Sequence, residues 1–183
     1  MEVLLRTVVF ASQKHAGQVR HGGKGIAYIN HPIEVAHWVA RAGGSLAAMC
    51  GALLHDVIED CGVTDNEILG LYPDDVAFGR QVLVIVREHT DPPGISYQDA
   101  KERVISMMAG GLYQSDTKLV ILADQLCNVL DLVRTPPQWG NNIEQTYIAL
   151  VKRLVDAGRG TSTVIEEEFD RAYEAAKAHY GMS

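Results

Sequence analysis

The sequence predicts an all-α globule of about eight or nine helices, and three observations carry that prediction. Apolar residues recur at three- and four-residue spacing along most of the chain. The breaks fall where glycine and proline gather: Gly43-Gly44, Asp91-Pro92-Pro93-Gly94, Gly110-Gly111 and Thr135-Pro136-Pro137. Residues 82–86 are rich enough in β-branched side chains to form a strand, but no second segment offers to pair with them, so they are assigned to a helix.

Taken in order, residues 2–15 carry apolar side chains at Val3, Leu4, Val8, Phe10 and Ala11 without Gly or Pro, which predicts a first helix stopped at Gly17. The next stretch, Gln18-Val19-Arg20-His21-Gly22-Gly23-Lys24-Gly25, gathers three glycines and three side chains able to carry positive charge. It reads as a loop that either approaches a phosphate closely or simply turns at the surface. It lacks the G-x-x-x-x-G-K-S/T order, which excludes a P-loop. Pro32 suits the first position of a helix continued by Ile33, Ala36, Val39 and Ala40, and this puts His31 at the helix mouth.

Ser45 reads as the N-cap of a buried helix running to Asp60, with Gly62 as its stop. Thr64 and Glu67 form a capping box for a short helix, and residues 76–87, 96–108, 118–133 and 143–156 supply further ones. A last amphipathic helix carries Val164, Ile165, Phe169, Ala172 and Tyr173. Within 118–133, Asp124, Asn128 and Asp131 fall at i, i+4 and i+7, a polar stripe on an otherwise apolar helix whose members need partners.

A chain of 183 residues, 47% hydrophobic, is expected to form one domain over 1–183 with a substantial core. It has no apolar run long enough to span a bilayer and no basic-then-apolar leader, so a cytoplasmic protein without a membrane partner is expected. Cys50, Cys61 and Cys127 are odd in number and contain no CxxC pair, which argues against a disulfide framework or a thiolate zinc knuckle. A formal charge of −7 lacks the basic excess that nucleic-acid phosphates demand. A small phosphorylated substrate remains compatible, given a few cations and a metal in a cleft.

The chemistry gathers at Leu53-Leu54-His55-Asp56-Val57-Ile58-Glu59-Asp60, one imidazole and three carboxylates in the last turns of the buried helix. At the negative end of the macrodipole each acid is unfavourable by roughly 0.3–1 kcal/mol unless a cation is near. Taken singly, each residue has an ordinary structural explanation. Taken together, His31, the pair His55-Asp56 and Asp124 stand at the edges of separate buried helices and offer two nitrogen and two oxygen donors, a set suited to a divalent ion, with Mn²⁺ the first choice.

In that order these residues resemble the HD superfamily of metal-dependent phosphohydrolases, an all-helical fold. Arg20 ahead of Tyr28-Ile29-Asn30-His31-Pro32, then Ala52-Leu53-Leu54-His55-Asp56-Val57-Ile58-Glu59-Asp60, then Leu122-Ala123-Asp124 with Asn128, is similar to the hydrolase domain of RelA/SpoT-type alarmone enzymes. Tyr147-Ile148-Ala149-Leu150 with Arg153-Leu154 resembles that family too, so the likeness runs over roughly residues 8–155. The chain ends where a bifunctional relative would begin its synthetase domain, which implies a stand-alone small alarmone hydrolase of the metazoan SpoT homologue type.

The resemblance implies Mn²⁺-dependent removal of the 3′-pyrophosphate from ppGpp or pppGpp, giving GDP or GTP. His31, His55, Asp56 and Asp124 would hold the ion; Glu59 and Asp60, four residues on from His55 and Asp56, would face the same cleft and orient or deprotonate water. Arg20 would clamp phosphate with its planar guanidinium, Lys24 and Lys101 would assist, Asn128 would bind sugar or phosphate, and Tyr147 would line the nucleotide pocket or pack. His15, His37, His89 and His179 are expected to be structural or solvated. The family usually has lysine at position 21, a basic residue at 125 and His or Tyr at 127, where this chain has His21, Gln125 and Cys127. Two cations are thereby removed from the surroundings of a highly charged substrate. Two alternatives keep the site: hydrolysis of another phosphorylated nucleotide such as NADPH, or nucleotide sensing without turnover, against which the Glu59-Asp60 pair speaks.

Overall fold

The most apolar helix of the chain takes the centre of the fold. In the computed structural model, which describes residues 1–20, 22, 25–137, 139–140 and 143–182, helix α3 (Leu46–Leu54) buries seven of its nine residues. It packs against α1 (Glu2–Lys14), α2 (Asn30–Arg41), α6 (Val76–His89) and α8 (Ser115–Arg134). Ser45 caps it, its hydroxyl accepting from the Ala48 N–H at 3.0 Å, a contact that stabilises such a helix by about 1 kcal/mol. A Cβ at Gly51 would lie 2.6 Å from Ile85 Cγ2, so glycine is what lets α6 approach the α3 backbone.

The described residues form helices throughout, with one isolated bridge between Val19 and Ala27. The short α4 (Val57–Cys61) and α5 (Asp65–Leu69) follow α3; α7 (Tyr97–Ala109), α9 (Ile143–Ala157) and α10 (Thr163–His179) complete the set. Residues 82–86 lie inside α6, where Val82, Ile85 and Val86 are buried. Burial at helical spacing decides their conformation over their β-branched propensity. The capping box at Thr64–Glu67 is present as expected. No helix among the described residues is long and apolar enough to cross a membrane.

Two boundaries differ from the expectation. Helix α2 begins at Asn30, so Pro32 is its third residue rather than its first; it remains within the first turn, where a missing N–H breaks no helical bond. The helix expected over 45–60 divides at His55-Asp56 into α3 and α4, which raises the count to ten helices among the described residues. That division also changes the expected electrostatics. Glu59 and Asp60 belong to the five-residue α4 and not to the C-terminal turn of the long buried helix, so the negative end of that helix does not bear on them as expected. Gly62 stops α4 in the left-handed region at φ 65°.

The loop between α1 and α2 is tied back on itself: Arg20 N–H donates to Ile26 O at 3.0 Å and Tyr28 N–H to Gln18 O at 2.9 Å. At Gly22 it lies so close to the stretch after α8 that a Cβ would fall 2.8 Å from Thr135 O. Arg20 and Tyr28 are thus held against α8 and α3. His21 and Lys24 lie outside the described residues.

Candidate metal centre and adjoining cleft

The centre forms where the start of α2, the end of α3 and the middle of α8 converge. His31 Nε2 lies 3.0 Å from Asp124 Oδ1, and His55 Nε2 lies 2.9 Å from Asp56 Oδ2 and 3.7 Å from Asp124 Oδ1. His31, His55 and Asp124 are buried, and their helices are packed directly on one another. The sequence-derived quartet is therefore brought together as a cradle.

Its orientation is fixed from outside. His55 Nδ1 donates to Ala52 O at 2.7 Å, which turns Nε2 inward, where it is buried and makes no hydrogen bond despite its proximity to Asp56. The Tyr28 hydroxyl donates to Asp56 Oδ2 at 2.5 Å, and Asp56 makes no side-chain cap on α4. Asp124 accepts from Asn128 Nδ2 on Oδ1 and from Gln125 Nε2 on Oδ2, both at 2.7 Å.

Burial alone would pull the His55 imidazole down, but Asp56 and Asp124 overcome it and push it up to about 9. His31, for which burial dominates, is lowered. Asp56 and Asp124 resist burial because His55 holds the first, and His31 and His89 the second, below the usual carboxylate range.

This donor set fits a divalent ion. Two ligands each about 2.1 Å from one ion can be no more than about 4.2 Å apart, and each of the separations above satisfies that bound. One ligand atom each of His31, His55 and Asp56 lies within 4.8 Å of the others. An inward, buried Nε2 without a hydrogen bond, facing two carboxylates, is a polar atom that a cation would satisfy.

Beyond the cradle opens a cleft of ≈ 710 Å³, lined among others by Arg20, Asn128, Asp131, Tyr97, Trp139 and Tyr147. Arg20 donates through Nε and Nη2 to Asp131 Oδ2 at 3.0 and 2.8 Å, and through Nη2 to Asn128 Oδ1 at 2.8 Å. Asn128 consequently joins the cation of the cleft to the carboxylate of the cradle. Tyr147 stacks on Tyr97 with centroids 6.2 Å apart and meets the edge of Trp139 at 5.5 Å.

Glu59 and Asp60 do not turn the same way. Neighbouring residues of a helix project about 100° apart. Glu59 Oε1 accepts from Asp91 N–H at 2.5 Å and lines a second hollow of ≈ 630 Å³ with Thr90 and Asp91, whereas Asp60 lies beside Tyr28. Burial and the charge of Asp56 raise both carboxyls above their ordinary values.

Lys101 does not line the Arg20 cleft directly but lies behind its Tyr97 wall, with Nζ 5.4 Å from the Tyr97 ring centroid, and it borders a narrow recess with His89 and Gln125. Gln125 is 1% exposed and bonds Asp124, so the position where a cation was missed does not belong to the exposed cleft wall. Cys127 is buried in the core. His15 is buried against Tyr28, and His37 and His179 are exposed, as expected of residues outside the site. His89 departs from that expectation, its Nε2 lying 3.6 Å from Asp124 Oδ2. Asp131, Tyr97 and Trp139 were also missed; the i+7 stripe was the only signal for Asp131, and neither aromatic had one.

The fold and cradle define an HD-domain protein: the HD-domain profile matches residues 7–154, and the chain belongs to that family. Its relatives include the guanosine-3′,5′-bis(diphosphate) 3′-pyrophosphohydrolase MESH1 of Xenopus tropicalis, 34% identical with 93% of each chain covered. The protein of the same name from Homo sapiens is 33% identical, again over 93% of each chain. The solved structure described as "A metazoan ortholog of SpoT hydrolyzes ppGpp and plays a role in starvation responses" superposes with a TM-score of 0.84 at 29% identity, covering 95% of both chains. The chain is thus homologous to these hydrolases over 93% of their length.

Proposed function

We propose that the protein is a Mn²⁺-dependent 3′-pyrophosphohydrolase of guanosine alarmones, converting ppGpp or pppGpp to GDP or GTP and pyrophosphate. The observation that carries this reading is the junction of a buried His/Asp cradle with an aromatic cleft whose cation reaches the cradle through one asparagine. Similarity over 93% of relatives named for that reaction supports it. On this reading residues 1–183 form a single hydrolase domain working in the cytoplasm.

His31, His55, Asp56 and Asp124 would hold the ion. A divalent ion there supplies the Lewis acidity that activates water and draws charge from a phosphoryl oxygen. Asp60, on the Tyr28 side and with its carboxyl pushed up by burial, orients the attacking water and accepts its proton as the P–O bond to the ribose 3′ oxygen breaks and that oxygen takes up a proton. Glu59 acts from the neighbouring hollow through its hold on the Asp91 backbone. Tyr28 keeps Asp56 turned into the cradle. Arg20 meets the phosphates, Asn128 holds Arg20 against the cradle, and Tyr147 lines the base-binding wall with Tyr97 and Trp139. Lys24 and Lys101 add positive charge around the substrate.

The test is incubation of purified protein with ppGpp and Mn²⁺, with and without chelator, followed by chromatographic identification of products. GDP and pyrophosphate formed only with free metal are expected. Phosphate released from NADPH with ppGpp left intact would reassign the substrate, and binding of ppGpp without products would reduce the protein to a sensor.

A further inference from the structure

The last residue of α6 reaches the cradle from a side that the His, His-Asp, Asp pattern leaves out. His89 lies with its ring centroid 4.8 Å from that of His55, at 78° to it, and its Nε2 lies 3.6 Å from Asp124 Oδ2. That separation is too long for a hydrogen bond, and the other ring nitrogen, Nδ1, is buried without a partner. The side chain is only 10% exposed. Nε2 thus faces the Asp124 carboxylate with no hydrogen bond that commits it to another role.

The backbone around it is pinned in place. Val86, one turn earlier, is fully buried, and the Thr90 hydroxyl donates to Val86 O at 2.8 Å. Asp91 N–H is held by Glu59 Oε1. One ligand atom each of His55, His89 and Asp124 lies within 4.8 Å of the others, a group that overlaps His31–His55–Asp56 through His55. The 3.6 Å from His89 Nε2 runs to Asp124 Oδ2, the carboxylate oxygen beside the Oδ1 that faces His31 and His55, and it falls within the limit of about 4.2 Å for two ligands of one ion that the carboxylate meets through both oxygens.

We propose that His89 is a fifth protein ligand of the ion, making the set three imidazole nitrogens and two carboxylate oxygens. This rests on the reading of the cradle as a divalent-metal site. Imidazole favours the later first-row ions, so the added nitrogen strengthens binding of Co²⁺ and Zn²⁺ more than that of Mn²⁺ and leaves one fewer position for water and substrate. His89 thereby tunes which metal the protein retains.

The test measures metal binding without substrate. Wild type, His89→Gln and His89→Val are titrated with Co²⁺, Zn²⁺ and Mn²⁺ against a chromophoric chelator, and the visible absorption of the Co²⁺ complex is recorded; melting of the metal-free variants checks that they fold. Both variants should lose about tenfold or more in Co²⁺ and Zn²⁺ affinity, no less than the loss of an outer-sphere partner, but about threefold or less for Mn²⁺, with a shifted Co²⁺ band. Wild-type Co²⁺ affinity and an unshifted band in a folded variant would overturn the inference. Asp124→Asn separates the two claims: if it abolishes Co²⁺ binding while the His89 variants are unchanged, the cradle stands and His89 is not a ligand. If Asp124→Asn binds Co²⁺ as wild type does, the metal site itself fails and the role of His89 with it.

Discussion

The cradle and the cleft meet on α8 but are built on different terms. The cradle takes its side chains from the ends or middles of packed helices, buries most of them and holds three of the four with a second contact: Ala52 O on His55, Tyr28 on Asp56, and Gln125 with Asn128 on Asp124. The cleft draws on a loop arginine and on aromatics that remain substantially exposed, Tyr97 at 53% and Trp139 at 38%. A site for a small ion needs donors preset within a few tenths of an ångström, and rigid helices supply that. A site for a flexible, highly charged nucleotide needs area and charge, which loops and helix ends supply with less burial. Substitutions in the two regions should therefore fail differently.

The largest effect is expected from Asp56→Ala, which removes a metal donor, leaves the Tyr28 hydroxyl without its acceptor and takes the facing carboxylate from His55. Metal content and turnover should vanish together, with kcat down by about 10³ or more, as metal analysis beside a product assay would show. Replacing both Glu59 and Asp60 by their amides should keep the metal and lower kcat by about 10². Unchanged turnover in that variant would remove the acids from the water step.

A third effect is set by pH. In the metal-free protein His55 is pushed up to about 9, so its stabilising contribution is complete below about 6.5 and is lost as pH rises through 9. Metal must displace that proton, so Mn²⁺ affinity should climb by up to about tenfold per pH unit toward 9 and then level. Chelator titrations across that range would reveal the slope, and pH-independent binding would contradict the arrangement around His55. The smallest changes belong to the cleft. Arg20→Ala should raise KM about tenfold, and Trp139→Ala about two- to tenfold, with metal content unchanged in both. Loss of metal in either would erase the distinction between the regions.

The two regions also differ in how far the sequence reveals them. His31, His55, Asp56 and Asp124 are legible because each interrupts or borders an apolar helix, where a polar residue must have a reason. The all-α fold is legible from the same periodicity. The division between α3 and α4 is not, because Val57 and Ile58 continue the apolar pattern across it. His89 reads as an ordinary basic residue in a last helical turn, and only the packing of α6 on α3 and α8 turns it inward. Tyr97 opens α7 and Trp139 lies between α8 and α9, so neither belongs to a repeat that could mark it. Gln125 looks like a lost cation until its burial shows it serving Asp124.

The central claim is that four residues from three separate segments bind one divalent ion. Isothermal titration of metal-free wild-type protein and of Asp124→Asn with Mn²⁺ tests it most directly. One ion per chain in the wild type and no measurable binding in the variant is the predicted result; equal binding in both, or none in the wild type, would contradict it.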